Sequence, residues 1–187
     1  MEKQVLFVHC AGAQGLQQGS SGLVAFLQNQ LSHDYTLISR TMPDPEAPQY
    51  EKWKTKLEKE MASLNGEIIL VGHSVGGSVL LKYLSEEIIS RSIFSVHLIA
   101  APYWGKDTEW LNEEFTLEEG FASKLQGIKK LYLYHSLDDQ IVPFFHHECY
   151  AKELKQAHTR RLHGDDHFFK TGLDTLVCDI SERGPQR

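Results

Sequence analysis

Six short apolar runs alternate with stretches of helical spacing, and that alternation leaves few folds open. The runs are Val5–His9, Tyr35–Ile38, Ile68–Val71, Ser95–Ala101, Lys130–His135 and Thr159–Leu162. Each is short, rich in β-branched or aromatic residues and bounded by turn formers, which predicts six strands. Between them, Leu23, Phe26, Leu27 and Leu31, and then Tyr50, Trp53, Leu57, Met61 and Leu64, each fall on one stripe of a helix. Val79, Tyr83 and Leu84 predict a third helix. Pro143 as a first-turn residue, followed by Phe144, His147, Tyr150, Ala151 and Leu154, predicts another, and Phe169, Leu173, Leu176, Val177 and Ile180 the last. Strands that alternate with helices build βαβ units. The expected class is therefore α/β: three layers, α/β/α, around a six-stranded, mostly parallel sheet. Six such units nearly exhaust 187 residues, so one domain spanning 1–187 is expected.

Two segments break the alternation. Thr41–Gln49 contains Pro43, Pro45 and Pro48, which rule out regular structure and suit an exposed connector into the second helix. Residues 102–120 carry Tyr103, Trp104, Trp110 and Phe115 among acidic residues directly after the fourth strand. They read either as a small lid over a pocket or as a loop and short helix patching the sheet edge.

Composition narrows the function classes. Asp and Glu number 25 against 19 Lys and Arg, a net charge of −6, which argues against a nucleic-acid partner because phosphate binding needs a basic face. No apolar run approaches ~18 residues and no leader pattern opens the chain, so no membrane association and a cytoplasmic location are expected. Cys10, Cys149 and Cys178 are an odd number without a C-x-x-C pair, which fits free thiols.

The chemistry centres on Gly72-His73-Ser74-Val75-Gly76, a G-x-S-x-G string between the third strand and a helical pattern. A serine on so sharp a turn needs flanking residues without Cβ atoms, and Gly72 and Gly76 supply them. A dinucleotide glycine fingerprint and a phosphate-loop lysine are both absent. A serine hydroxyl becomes a nucleophile only when a histidine takes its proton, and a carboxylate must hold that histidine. Of ten histidines, His167 stands where a loop after the last strand drops it onto the sheet's carboxyl edge, whereas His163 falls at the strand's end. A metal reading of His163, Asp165 and His167 lacks further ligands at a matching spacing. The carboxylate belongs at the end of the fifth strand, where Asp139, four residues before Pro143, is preferred and Asp138 is the alternative. Two backbone amides must hold the oxyanion. One is that of Val75; the other comes from the loop after the first strand, from Ala11 or Cys10. Tyr103, Trp104, Phe144 and Phe168 are the candidate substrate-binding residues on loops at the same edge.

These residues resemble a family. GHSVGG at 72–77, Met42-Pro43-Asp44-Pro45, Asp138-Asp139 with Pro143, and Asp166-His167-Phe168 are similar to the small serine hydrolases grouped with retinoblastoma-binding protein nine and the bacterial YdeN-type proteins. The likeness runs along nearly the whole chain. It implies a trimmed α/β-hydrolase sheet of order 2-1-3-4-5-6, with Ser74, Asp139 and His167 as catalytic triad and no cofactor. The implied activity is hydrolysis, most simply of a small-molecule carboxyl ester through an acyl-enzyme; thioesters and amides use the same triad. Members that bind retinoblastoma protein use an L-x-C-x-E string. None of the three cysteines sits in one, so no protein partner is carried over. The rival reading is a hydrolase scaffold acting as a protein-binding module through the proline-rich loop, the aromatic segment and Glu113, Glu114, Glu118 and Glu119. A flavodoxin-like nucleotide binder is a third.

Overall fold

The computed structural model describes residues 3–128, 130–164 and 166–182. Its strands are β1 (Lys3–Val8), β2 (Tyr35–Ser39), β3 (Glu67–His73), β4 (Ile93–Ile99), β5 (Leu131–Ser136) and β6 (His158–Leu162). They form one sheet in the order β2-β1-β3-β4-β5-β6, and every neighbouring pair is parallel. The helices are α1 (Ser21–Gln30), α2 (Tyr50–Ser63), α3 (Val75–Glu86), α4 (Phe121–Lys124), α5 (Phe145–Glu153) and α6 (Asp174–Ser181), with a 3-10 turn at Glu113–Phe115.

The buried positions of the central strands are mostly apolar on both sides because helices cover both sheet faces. Leu6, Val8, Ile68, Leu70, Val96 and Leu98 join α2, α3 and α5 in one core. Val5, Phe7, Ile69, Val71 and Ile99 alternate onto the other face, against α1 and α6. Each fully buried Leu, Ile or Phe contributes about 1.5–3 kcal/mol relative to exposure, so the two cores fix which strand ends share the carboxyl edge.

The predicted elements are all present, with boundaries moved by a residue or two. The last helix is the exception: it begins at Asp174 and not near Phe169. Phe169 takes a left-handed φ of 49° and Gly172 one of 97°, so the chain turns twice before the helix can start, while the Phe169 ring still packs in the α1/α6 core. Pro143 sits just ahead of α5, in a turn closed by the His146 amide donating to its carbonyl at 3.0 Å.

Thr41–Gln49 is irregular, as its prolines require, but it is more than a connector. The Gly12 amide donates to the Pro45 carbonyl at 2.7 Å, and the Met42 amide donates to Gln14 Oε1 at 2.7 Å. The proline loop therefore braces the loop after β1. Residues 102–120 are fastened at several points. Phe115 is buried and stacks on Trp104 with ring centroids 5.0 Å apart. Glu114 accepts the Tyr50 amide at 3.0 Å, Lys82 donates to the Thr116 carbonyl at 2.7 Å, and Asp107 lies 3.2 Å from the buried His146.

Candidate active site

β3 ends at His73 and α3 begins at Val75, so Ser74 alone makes the turn. Its backbone adopts φ 53° and ψ −126°, a strained left-handed geometry for a residue with a side chain. Backbone hydrogen bonds hold it there: the Ser74 amide donates to the Ile99 carbonyl at 2.8 Å, and its own carbonyl accepts the Gly77 amide at 2.8 Å and the Ser78 amide at 3.3 Å. The turn leaves no room at its flanks. A Cβ on Gly76 would lie 2.4 Å from the carbonyl oxygens of both Val8 and His9, and one on Gly72 would lie 2.7 Å from the Gly77 Cα.

His167 hangs from the loop after β6, with its ring 5.1 Å from that of His73, the residue before Ser74. His167 Nδ1 donates to Asp139 Oδ2 at 2.8 Å, which leaves Nε2 as the nitrogen available to a nucleophile. Asp139 is buried and fully bonded. Its Oδ1 accepts the amides of Ile141 and Val142, each at 2.9 Å, and His135 Nε2 stands 3.4 Å from Oδ2. Burial alone would raise its carboxyl pKa; hydrogen bonds from His135 and His167, His167's charge and the Val142 amide outweigh it and hold the pKa well below the usual carboxylate range. Asp138 points elsewhere: it is exposed, and its Oδ2 accepts the Gly164 amide at 2.8 Å, tying the acid loop to the histidine loop. His163 is exposed.

At the oxyanion side, Val75 opens α3, so its amide has no partner within the helix and faces outward with the positive end of the helix dipole. In the loop after β1 the Cys10 amide is already used, donating to Ser20 Oγ at 2.9 Å. The Gly12 amide is used by Pro45. Ala11 lies between two committed amides with its own N–H unassigned among the described residues, so of the two donors that spacing left equivalent it is the Cys10 amide that already has a partner.

The four aromatic candidates fare unequally. Phe168 is half-buried, edge-on to His167 at 5.2 Å, and Phe144 is half-buried, edge-on to His135 at 5.7 Å. Phe168 stands against His167, and Phe144 packs on His135 and His147. Trp104 is half-buried between Trp110 and Phe115. Tyr103 is a correction: its ring turns into the core between Tyr150 and Phe121, because the Tyr103 amide is held by His146 Nδ1 at 2.9 Å. Asp165 of the metal reading lies outside the described residues, and among those described no three His, Cys, Asp or Glu residues are placed to hold a metal ion. All three cysteines are free. No described helix is long and apolar enough to cross a membrane.

Residues 19–172, a span that contains Ser74, Asp139 and His167, match the family model described as serine hydrolase. The chain belongs to the serine hydrolase family. Its relative YdeN of Bacillus subtilis (strain 168) is 28% identical over 142 residues, 74% of this chain and 75% of that protein. The crystal structure of the ydeN gene product superposes with a TM-score of 0.81 at 23% identity, covering 97% of this chain and 98% of that one. An esterase from Exiguobacterium antarcticum matches with a TM-score of 0.68 at 14% identity, over 96% and 91% of the two chains. XC6422 of Xanthomonas campestris, an α/β serine hydrolase without a lid, gives 0.67 at 15% identity, over 99% and 84%. The resemblance to YdeN-type hydrolases and the six-stranded α/β-hydrolase sheet are thus both borne out. This serine hydrolase carries four further residues at the site that spacing did not single out: Gln14, Ser20, His73 and His135. Only His73, a histidine ending an apolar strand inside the G-x-S-x-G string, left a local signal.

Proposed function

We propose that this hydrolase is a carboxylesterase acting through Ser74, His167 and Asp139. The observation that carries the reading is the 2.8 Å bond from His167 to the buried Asp139 at the same sheet edge as Ser74 in its strained turn. Ser74 Oγ attacks the ester carbonyl while His167 Nε2 takes its proton. Asp139 keeps that proton's place open by holding the other nitrogen as N–H, and it stabilises the imidazolium that forms. The amides of Val75 and Ala11 receive the oxyanion, and His167 then returns the proton to the leaving alcohol. Water repeats the sequence on the acyl-enzyme.

Phe168 beside His167 and Phe144 beside His135 suit a small or medium acyl or aromatic group. The anchored 102–120 segment acts as a fixed wall and not as a moving cap, in keeping with the lidless Xanthomonas relative. An uncapped site supports modest discrimination between acyl groups. The test is a fluorophosphonate probe and a series of p-nitrophenyl esters of increasing chain length, on wild type and Ser74→Ala. Labelling at Ser74 with kcat reduced ~10³-fold or more in the variant is expected. Folded wild-type protein that neither labels nor hydrolyses any ester refutes the reading. A protein-binding role gains no specific support, since Pro43, Pro45, Glu114 and Glu118 are bonded within the chain.

A further inference from the structure

Ser20 occupies the N-cap position of α1, yet its hydroxyl caps nothing. A serine there ordinarily stabilises its helix by ~1 kcal/mol through a bond to a first-turn amide. Here the fully buried side chain turns the other way. Its Oγ accepts the Cys10 amide at 2.9 Å and lies 2.8 Å from Nδ1 of His73, which is equally buried.

The protons of this network follow from one constraint. His73 Nε2 lies 2.8 Å from the His167 carbonyl oxygen, which can only accept, so Nε2 carries the hydrogen. A neutral imidazole then has its lone pair on Nδ1, and Ser20 must donate to it. The bonds run in a single direction: Cys10 N–H to Ser20 O–H, Ser20 O–H to His73, and His73 N–H to the backbone of His167. Three segments that contribute to the site, the loop after β1, the end of β3 and the histidine loop, are joined by this one chain. A second clamp acts on the next peptide, between Cys10 and Ala11, so that Cys10 is held on both sides. Gln14 Nε2 donates to the Cys10 carbonyl at 3.0 Å, and Gln14 Oε1 is fixed by the Met42 amide at 2.7 Å. In a trans peptide the carbonyl and the following N–H point in opposite directions, so holding the Cys10 oxygen sets the direction of the Ala11 N–H.

We infer that Ser20, His73 and Gln14 are positioning residues that aim the Ala11 amide at the oxyanion and keep it in register with His167. This rests on the esterase reading above and specifies how its second oxyanion donor is oriented. None of the three touches substrate. Their contribution is that the donor is already aligned when charge develops on the carbonyl oxygen, which is where such donors act most strongly.

The test compares wild type, Ser20→Ala and Gln14→Leu by steady-state kinetics, by inhibition with an aryl trifluoromethyl ketone and by thermal melting. The ketone adds to the serine and presents an oxyanion, so its affinity reports the aimed donor and not mere folding. Losing one oxyanion donor outright lowers kcat ~10²–10³-fold. Loosening one should lower it ~10–100-fold, with KM within about twofold and ketone affinity falling by a similar factor. A folded Ser20→Ala protein with kcat within twofold of wild type overturns the inference, as does a fall in kcat with ketone affinity unchanged. If Ser20→Ala does not fold, Gln14→Leu decides by the same criteria, since its side chain is only half-buried. Wild type that fails to label at Ser74 overturns the esterase reading and this one together; wild type that labels, beside unaffected variants, overturns this one alone.

Discussion

Replacing Asp139 by Asn isolates one proton. The new side chain is nearly isosteric, and its orientation is dictated by the backbone: the position of Oδ1 receives two amides, from Ile141 and Val142, each at 2.9 Å. Turning the NH2 group toward them would oppose donors to donors and forfeit two buried bonds, a penalty of about 2–3 kcal/mol. The carbonyl must therefore stay on that side, and the NH2 must face His167 Nδ1, where the carboxylate now accepts at 2.8 Å. His167 responds by moving its hydrogen to Nε2, the nitrogen that has to take the serine proton. The ring stays in place and the base is lost. In a triad this wrong tautomer lowers kcat ~10⁴-fold, about 5.5 kcal/mol of transition-state stabilisation. The measurement is kcat for a p-nitrophenyl ester near pH 7.5 on Asp139→Asn, with Asp138→Asn as comparison. Asp138 only accepts the Gly164 amide, which an Asn oxygen can also do, so its variant should stay within about threefold. Asp139→Asn retaining more than ~10% of wild-type kcat, or Asp138→Asn losing as much as Asp139→Asn, refutes the assignment of the acid.

Gly76→Ala should destabilise by about 3 kcal/mol or more, because its Cβ would meet two backbone oxygens at 2.4 Å that have nowhere to go. At ~2–4 °C per kcal/mol for a chain of this size, differential scanning fluorimetry should show a loss of about 6–12 °C. Gly127→Ala, which meets nothing within 4 Å, should melt within about 2 °C of wild type. Acid should unfold the protein through its buried histidines. Burial pushes His73 and His97 down to about 3 and His147 down to about 4, so they stay neutral in the fold while the unfolded chain takes up protons below ~6.5. Stability is complete above that pH and falls as pH drops toward 4, by ~1.4 kcal/mol per unit for each such histidine; His97→Gln should flatten urea-unfolding free energies measured against pH by one such increment, and an unchanged slope would refute it. Asp139 acts in the same direction at lower pH. Its depressed pKa gives stability that is present above ~4 and lost below, so the melting difference between wild type and Asp139→Asn should shrink between pH 5 and pH 3.

What the sequence makes legible here is whatever repeats or sits within a few residues. β1 is apolar at every buried position because both faces are covered, and that alone marks it as a central parallel strand. The turn at Ser74 is legible because steric exclusion at Gly72 and Gly76 is a local requirement. Asp139 could be preferred over Asp138 from its distance to Pro143, although the physical reason lies in two amides that only the folded loop supplies. Tyr103 is the converse case. Its position after β4 put it at the rim, and a bond between its amide and a histidine of α5, distant in sequence, turned the ring inward.

The network through Ser20, His73 and His167 is silent in the sequence because its partners are far away along the chain. Ser20 and His73 are 53 residues apart, and His73 and the His167 backbone are 94 apart. No periodicity encodes such a pair. The physical argument still runs in one direction, since a histidine wholly buried at the end of an apolar strand must find a partner for each ring nitrogen or forfeit the desolvation of both. Here one partner comes from the segment after β1, which borders β3 in the sheet, and the other from the loop after β6, which folds back over the carboxyl edge, and those two segments carry the proposed oxyanion donor and base. The buried histidine in front of the serine thus bonds to two segments of the proposed active site, so that satisfying its pair of hydrogen bonds and aligning the chemistry become the same structural event.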